Sequence, residues 1–197
     1  MRYIAIILTA YLLGSFCASI PISRRLYGGD VRNSGSGNAG ATNMARVFGM
    51  KAGLVTLACD MAKTVIAMLL GKYFGGEAGE ALAGAVCITA HCYPLYFGFR
   101  GGKGVSVGAA LGLMCGWRVF LCVILLFLTV AVFSKKVSLG SISAAAALPI
   151  FAFLFGCGKY MLRMCIFSAL LVVFMHRANI RRLIEGREGD FKPKKGR

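Results

Sequence analysis

The chain has 197 residues, of which 58% are hydrophobic and 15% charged, and its 23 Lys and Arg residues against 7 Asp and Glu give a formal net charge of +16. Soluble domains hold about 45–50% apolar and about 25% charged residues, and disordered basic tails have low hydrophobicity, so both classes are excluded. Nucleic-acid binding needs a basic face on a soluble fold, whereas apolar runs of bilayer length separate the charges here. The composition therefore predicts a polytopic membrane protein that does not bind nucleic acid.

The eight cysteines lie in or beside apolar segments, and none forms a Cys-x-x-Cys pair. In such surroundings cysteine behaves as a small hydrophobic residue, so we expect neither a disulfide framework nor a zinc site. The first apolar run, from Tyr3, begins like a signal peptide but lacks a good cleavage site and continues into Arg24 and Arg25. We interpret it as a retained membrane span.

Six segments have the length of a membrane span, since a helix needs about 20 largely apolar residues to cross the hydrocarbon layer. These spans are predicted near residues 3–23, 53–73, 80–98, 118–133, 139–156 and 160–175. The stretch 105–115 is also apolar, but as a helix it would be only about 16 Å long. It is either a separate short span or the first part of one helix over 105–133.

The distribution of charge decides between these alternatives. With seven spans, one side of the membrane collects 17 of the 23 Lys and Arg residues, whereas a six-span arrangement places the basic tail opposite the first two basic loops. Positively charged loops favour the cytoplasm. We therefore predict an all-α protein that forms one domain over 1–197, with seven transmembrane helices, an outside N-terminus and a cytoplasmic tail over 176–197.

The loop over 24–51 is long and contains a Gly/Ser-rich segment. Its glycines allow close backbone approach, and consecutive exposed amides can bind an anion. A guanidinium can hold phosphate through two parallel hydrogen bonds. A flexible linker is the alternative, although linkers seldom carry Thr-Asn and flanking arginines directly before a span. The predicted phosphate-binding residues of this loop are Ser36, Gly37, Asn38, Thr42, Asn43 and Arg46.

A second polar segment, 91–104, ends in Gly-Gly-Lys-Gly. It fails the nucleotide-binding pattern G-x-x-x-x-G-K-[ST], because Phe97 replaces the first glycine and Gly104 replaces the metal-binding Ser or Thr. We predict a phosphate cradle without a metal, placed before the positive end of the following helix. A loop that merely sets topology is the alternative, and His91 is either functional or packed. The predicted cradle residues are Gly101, Gly102, Lys103 and Gly104.

Two further pairs of polar residues are each three apart, which places both members on one helix face. His176 and Asn179 follow the last span, where a basic tail is ordinarily a topology signal or a lipid attachment. Asp60 and Lys63 lie inside the second span, where a central charge costs about 2.5–3.5 kcal/mol. This second pair is either functional or an ion pair that helps helices associate.

Carboxylates are scarce in the sequence. We find no acidic cluster that could hold magnesium or run two-carboxylate hydrolysis, and no G-x-S-x-G nucleophile motif. We expect neither a metal nor a cofactor. The cations, glycine amides and neutral polar groups favour a site for one or more phosphorylated substrates at the membrane surface.

Together these motifs resemble the PlsY family, the bacterial acyl-phosphate:glycerol-3-phosphate acyltransferases. The resemblance covers nearly the whole chain in ordered spacing. The matching elements are residues 36–43 with Arg46, His91-x-x-Pro94 to Gly-Gly-Lys-Gly, the terminal His-Arg-x-Asn-Ile with Glu188, Ser19-Ile20-Pro21 and Asp60-x-x-Lys63. The departures, Ala18, Ala90, Tyr93 and Ser106-Val107, are small changes that affect the expected pocket shape rather than the chemistry.

The resemblance implies a seven-helix enzyme of the bacterial inner membrane whose active site faces the cytoplasm. It implies transfer of a fatty acyl group from acyl phosphate, not acyl-CoA, to the 1-hydroxyl of glycerol 3-phosphate, which gives lysophosphatidic acid and inorganic phosphate. The His-x-x-x-x-Asp motif of the other acyltransferase class is absent, because the fifth residue after each histidine, where the motif has Asp, is Tyr96 or Arg181. The implied partners are both substrates, membrane lipid and an enzyme that forms acyl phosphate.

The implied catalytic residues are His176, Lys103, Arg46 and Asn179, and the implied supporting residues are Asp60, Lys63, His91 and Glu188. Either His176 or a substrate phosphate would take the hydroxyl proton. Two other functions stay open: a transporter of an organic phosphate with Asp60 and Lys63 on its pathway, and a non-catalytic lipid-binding scaffold. The lack of a convincing internal repeat disfavours the transporter.

Overall fold

A computed structural model describes residues 1–194, and all of its regular secondary structure is helical. Two short 3₁₀ turns, Val31–Asn33 and Leu95–Phe97, lie in the loops. The α-helices are α1 (Arg2–Ser15), α2 (Ser19–Tyr27), α3 (Ala41–Phe48), α4 (Met50–Cys92), α5 (Val105–Cys115), α6 (Trp117–Ser134), α7 (Val137–Leu154), α8 (Lys159–Met175) and α9 (Arg177–Ile184).

The first apolar run, expected as one span over 3–23, lies in one candidate span, Arg2–Tyr27, which consists of two helices, α1 and α2. The break follows α1, where Phe16 is extended (φ −73°, ψ 95°). Pro21 lies in the first turn of α2, where its missing N–H is tolerated, whereas inside one long helix it would remove a hydrogen bond. Lys63 Nζ donates to the carbonyl oxygens of Gly14 (3.0 Å) and Phe16 (2.7 Å). The carbonyls freed at the break are thus hydrogen-bonded.

The 43 residues of α4 form a hairpin of two antiparallel helical arms. At Gly76 the backbone leaves the helical conformation (φ 61°, ψ −155°). A side chain at Gly71 would overlap the carbonyl of Gly79, and Cys87 Sγ donates to Thr64 Oγ1 at 3.6 Å. These contacts show that the chain returns along itself. Glycine adopts a positive φ at little cost, which explains why the reversal occurs at Gly76.

By length and apolar composition, four helical segments among residues 1–194 could cross a membrane, with a fifth if α8 and α9, bent by 58°, count as one. The four are Arg2–Tyr27, Met50–Phe97, Trp117–Ser134 and Val137–Leu154. α5 is a shorter apolar helix of 11 residues. These helices support a membrane protein with four or five candidate spans. The expected count of seven and the orientation stay predictions.

The main apolar core is formed by residues of α4, α5, α6, α7 and α8. Its largest fully buried side chains include Met68, Ile88 and Leu111. α6 packs on α7 and buries Val119 and Val123 among its 18 residues. Its outer face exposes apolar side chains, which suits contact with lipid tails rather than water.

Candidate active site

A cavity of about 600 Å³ lies where the loop before α3, the loop before α5 and the α8–α9 junction meet. The predicted site residues that line it are Ser36, Asn38, Thr42, Asn43, Arg46, His91, Lys103, His176, Asn179 and Glu188. Those that lie outside its lining are Gly37, Gly101, Gly102, Gly104, Asp60 and Lys63. The fold thus brings groups from three distant segments of the chain to one place.

The opposite wall of the cavity is apolar and is built by α6, α7 and α8. Along α7 the lining extends from Ser138 to Leu148, which is about 15 Å of helix. Sequence reasoning missed this wall, because an apolar span does not reveal which of its faces borders a cavity and which borders lipid. Its apolar residues include Val123, Ile124, Phe127, Ala144, Ala145, Leu148, Ala169 and Val172.

A chain of hydrogen bonds crosses the polar end of the cavity. Lys103 Nζ donates to Asn179 Oδ1 at 2.5 Å, and Asn179 Nδ2 donates to Glu188 Oε1 at 2.6 Å. Arg182 Nε donates to the other oxygen of Glu188, also at 2.6 Å. Arg182 was not predicted as a site residue, although its place three residues after Asn179 puts both on one face of α9.

The surroundings disfavour the charged form of Lys103 and favour the charged form of Glu188. Burial lowers the pKa of Lys103, and the charges of Arg182 and Arg46 lower it further, while Glu188 acts in the opposite direction. Burial raises the pKa of Glu188, but hydrogen bonds that include those from Asn179 and Arg182 outweigh it and leave the pKa below its usual value. Lys103 therefore loses its charge at a lower pH than an exposed lysine does.

His176 lies at the junction of α8 and α9, with 3% of its surface exposed. Its Nδ1 is 2.8 Å from the carbonyl oxygen of Val172. A carbonyl only accepts hydrogen bonds, so Nδ1 is assigned the proton, and Nε2 of the neutral ring remains an acceptor. This arrangement gives the cavity a group that can accept a proton from a hydroxyl.

Asn43 shapes the loop before α3 rather than presenting a free amide to a ligand. Its Nδ2 lies 3.0 Å from each of the carbonyl oxygens of Val31, Ser34 and Asn38. Its Oδ1 accepts from the backbone N–H of Ser36 at 2.9 Å. The side chain thus holds the Ser36 turn against α3. Thr42 and Arg46 of the same helix, four residues apart, line the cavity.

The glycines before α5 have their amides or backbone angles committed to the fold of the loop. The amide of Gly101 donates to the carbonyl of Cys92 at 3.2 Å, and that of Gly102 donates to the carbonyl of His91 at 3.1 Å. Gly104 has a φ of 80° and precedes the first residue of α5. In this conformation the amides of Gly101 and Gly102 are not available to a phosphate. The loop therefore contributes the side chain of Lys103 to the cavity.

Arg32 connects the two polar loops. Its Nη1 donates to the carbonyl oxygens of Phe97 (2.8 Å) and Arg100 (3.3 Å). Its Nε and Nη2 donate to Asp30 and hold the pKa of that carboxyl well below its usual range. Gly37 lies beside Arg32 in a second, smaller pocket. Arg32 was not among the site residues predicted from the sequence.

The segment after α9 passes along the mouth of the cavity. Lys136 Nζ donates to the backbone carbonyl of Glu188 at 2.5 Å and to Asp190 at 3.3 Å. Further on, the amide of Lys194 donates to the carbonyl of Ala45 at 3.3 Å. The segment is therefore tied to the α6–α7 loop and to α3. The last three residues of the predicted tail, 195–197, lie outside the described residues.

Asp60 and Lys63 lie behind the cavity and are 3.0 Å apart. Both are buried, and Ser106 Oγ donates to Asp60 Oδ2 at 2.9 Å. Among residues 1–194, no three His, Cys, Asp or Glu side chains come together in a way that could hold a metal ion. The charged and titratable groups that line the cavity include Arg46, Lys103 and Arg182, the imidazoles of His91 and His176, and the carboxylate of Glu188.

Residues 4–186 match the model of a protein family described as glycerol-3-phosphate acyltransferase. The chain belongs to this family. The acyltransferase is 35% identical to the glycerol-3-phosphate acyltransferase of Finegoldia magna over 192 residues, which cover 95% of this chain and 97% of the relative. It is 38% identical to the glycerol-3-phosphate acyltransferase of Clostridioides difficile in an alignment of 199 residues, which covers 98% of this chain and 97% of the relative.

Solved structures of PlsY (YgiH), described as an integral membrane glycerol 3-phosphate acyltransferase, have the same fold. The glycerol 3-phosphate form aligns with a TM-score of 0.91 at 35% identity, covering 98% of this acyltransferase and 96% of that chain. The lysophosphatidic acid form aligns with a TM-score of 0.90 at 34% identity and the same coverage. The acyltransferase is therefore a membrane protein of the PlsY type.

Proposed function

We propose that this acyltransferase transfers a fatty acyl group from acyl phosphate to the 1-hydroxyl of glycerol 3-phosphate and releases lysophosphatidic acid and inorganic phosphate. One observation carries the proposal: a single cavity joins a wall that bears Arg46, Lys103 and Arg182 to an apolar wall between α6, α7 and α8. Acyl phosphate has the same division, an anionic head on an alkyl chain. The two ligands named for the PlsY structures support the acceptor and the product.

The reaction needs positioning more than strong chemical activation. The hydroxyl oxygen of glycerol 3-phosphate attacks the carbonyl carbon of the mixed anhydride, a C–O bond forms, and the bond from that carbon to the phosphate oxygen breaks. Phosphate is a good leaving group, so the main barriers are alignment and the repulsion between two anions. Arg46 and Lys103 would offset that repulsion, and Asn179 would orient Lys103 through their hydrogen bond.

The hydroxyl proton has two acceptors available. One is His176 Nε2, which the bond from Nδ1 to Val172 leaves unprotonated. The other is a phosphate oxygen of a bound substrate, since phosphate titrates close to neutral pH. Both routes balance the reaction, because the proton leaves the attacking oxygen as the ester forms.

We also propose seven spans, with the two arms of α4 counted separately beside α1, α5, α6, α7 and α8. The charge distribution supports an outside N-terminus and an active site on the cytoplasmic face of the bacterial inner membrane. The acyl chain would lie along the apolar wall, beside membrane lipid. Because acyl phosphate is amphipathic, an enzyme that forms it would deliver the donor at this same face.

The purified protein in detergent, supplied with palmitoyl phosphate and glycerol 3-phosphate without added metal or cofactor, tests this proposal. Lysophosphatidic acid and inorganic phosphate should appear in a one-to-one ratio. The same protein in liposomes is the matched test of the transporter alternative. Uptake of labelled glycerol 3-phosphate without any lysophosphatidic acid would overturn the enzyme and favour the transporter, and neither uptake nor product would favour the scaffold.

A further inference from the structure

A buried polar cluster lies directly behind the loop that carries Lys103. Asp60 is 3.0 Å from Lys63 Nζ, and its second oxygen accepts from Ser106 Oγ at 2.9 Å. Lys63 Nζ is also 3.0 Å from His91 Nδ1. All four cluster residues are at most 6% exposed. They come from both arms of α4 and from the first turn of α5, so the cluster ties three helical segments together.

The contacts of Lys63 indicate which ring nitrogen of His91 carries the proton. Lys63 Nζ donates to the carbonyls of Gly14 and Phe16 and lies within hydrogen-bond distance of His91 Nδ1. Because an ammonium has three donors and no acceptor, Nδ1 is assigned as the acceptor and the ring proton is assigned to Nε2. A side chain at Gly102 would overlap this Nε2. The imidazole therefore fills the space beside residue 102, whose amide is bonded to the carbonyl of His91 at 3.1 Å.

Both ends of the loop over 93–104 are fixed to this cluster. His91 holds the upstream end through its ring and its carbonyl, and Ser106 holds the downstream end through Asp60. Between these anchors, Lys103 is the residue of the loop that lines the cavity beside Asn179. A small shift of either anchor would displace the cation, and misplacement by about 1 Å can cost about 10²-fold in rate.

We propose that Asp60, Lys63, His91 and Ser106 are positioning residues that set the place of Lys103 in the cavity. On this view residue 102 is glycine because the His91 ring occupies the space of a side chain, not because its amide binds phosphate. The inference rests on the proposed role of Lys103 in binding substrate phosphate.

A rescue experiment separates this role from a general effect on folding. Asn in place of His91 keeps an acceptor near Nδ1 for Lys63 but leaves space beside residue 102. We expect Gly102→Ala to raise the KM for glycerol 3-phosphate by about tenfold or more and His91→Asn to restore most of that loss in the double variant. Gly101→Ala is the matched control, because its side chain would overlap the backbone carbonyl of His91, which His91→Asn cannot remove.

Ser106→Ala tests the downstream anchor and removes one hydroxyl. It should raise the KM for glycerol 3-phosphate several-fold, with a melting temperature close to that of the wild type. An unchanged KM in this variant, failed rescue of Gly102→Ala, or equal rescue of Gly101→Ala would each overturn the inference. Lys103→Ala tests the proposed phosphate-binding role separately from the positioning role of the cluster. If this variant binds glycerol 3-phosphate as the wild type does, the proposed role of Lys103 itself is wrong.

Discussion

Lys103 Nζ lies 2.5 Å from Asn179 Oδ1, so the loop before α5 and the helix α9 are joined inside the cavity. Asn179 is held in turn by Glu188. The lysine therefore reaches the substrate space already oriented, and a bound phosphate would meet a placed charge instead of a mobile side chain. Preorganised charge of this kind stabilises anionic reaction centres most effectively in a site shielded from water.

Arg46 and Lys103 should be the substitutions to which activity is most sensitive. We expect Arg46→Ala and Lys103→Ala each to lower kcat/KM by about 10²–10³, the usual loss for one preorganised donor. Steady-state assays with both substrates, at matched levels of folded protein, measure this. Arg24→Ala is the control, because Arg24 is a cation of the same predicted side that pairs with Asp30 away from the cavity. Equal losses for all three would argue against a specific phosphate site.

Replacement of His176 by Ala distinguishes the two proton acceptors. If Nε2 is the base, turnover should fall by about 10²–10⁴, while the KM for glycerol 3-phosphate changes little. Near-normal turnover in this variant, alongside inactive Arg46→Ala and Lys103→Ala, would reject histidine-base catalysis and leave a substrate phosphate as the base. Single-turnover measurement of the acyl-transfer step is the direct comparison.

The pH dependence should reveal the lowered pKa of Lys103. Burial and the neighbouring arginines lower it, and lysine is cationic only below its pKa. Phosphate binding should therefore weaken as the pH rises, and this decline should begin below the pKa of an ordinary lysine, about 10.4. The pH profile of kcat/KM reports groups of the free enzyme. Lys103→Arg should abolish this alkaline decline, and an unchanged decline in that variant would assign it to another group.

The apolar wall should control the length of the acyl chain. Ala145 on α7 lines the cavity, whereas its neighbour Ala146 is exposed outside it. Ala145→Leu should therefore lower kcat/KM for long-chain acyl phosphates more than for short ones. Ala146→Leu adds the same volume and should keep the wild-type preference. A series of acyl phosphates measured with both variants tests this, and identical profiles would place the chain elsewhere.

The close contact inside the α4 hairpin predicts a loss of stability. A side chain at Gly71 would overlap the backbone carbonyl of Gly79, so Gly71→Ala should destabilise the protein by about 1–3 kcal/mol, as overpacking does. Gly108→Ala makes the same change in α5, where no atom lies within 4 Å of the new side chain. It should be neutral or slightly stabilising, because alanine favours helix more than glycine does. Melting temperatures in detergent compare them, and equal melting temperatures would contradict the hairpin contact.

The sequence predicts the all-helical class and the short apolar helix well, because each depends on a local signal. Apolar runs of defined length predict helices. The charge distribution favoured a separate short helix over 105–115, and α5 extends over Val105–Cys115. The break after α1 also has a local cause in Pro21. The residue that binds the carbonyls freed at this break is distant in the sequence. It is Lys63, which is 47 residues from Phe16 along the chain.

Many of the residues predicted from the sequence line one cavity, but the sequence did not predict which of their hydrogen-bonding groups are already occupied. Motif chemistry pointed to glycine amides and to Asn43 as phosphate ligands, whereas the structure shows these groups bonded within their own loops. Whether a donor is already occupied depends on tertiary contacts that spacing does not encode. The same limit applies to Arg32, whose position in the sequence does not reveal that it connects two loops.

The identity of the acyl donor tests the central claim most directly. The purified acyltransferase should be given labelled glycerol 3-phosphate with palmitoyl phosphate or with palmitoyl-CoA at equal concentration, and the rate of labelled lysophosphatidic acid formation measured for each. We predict product with palmitoyl phosphate, released together with one inorganic phosphate, and none above background with palmitoyl-CoA. Product formed from palmitoyl-CoA at an equal or higher rate would contradict the proposed donor.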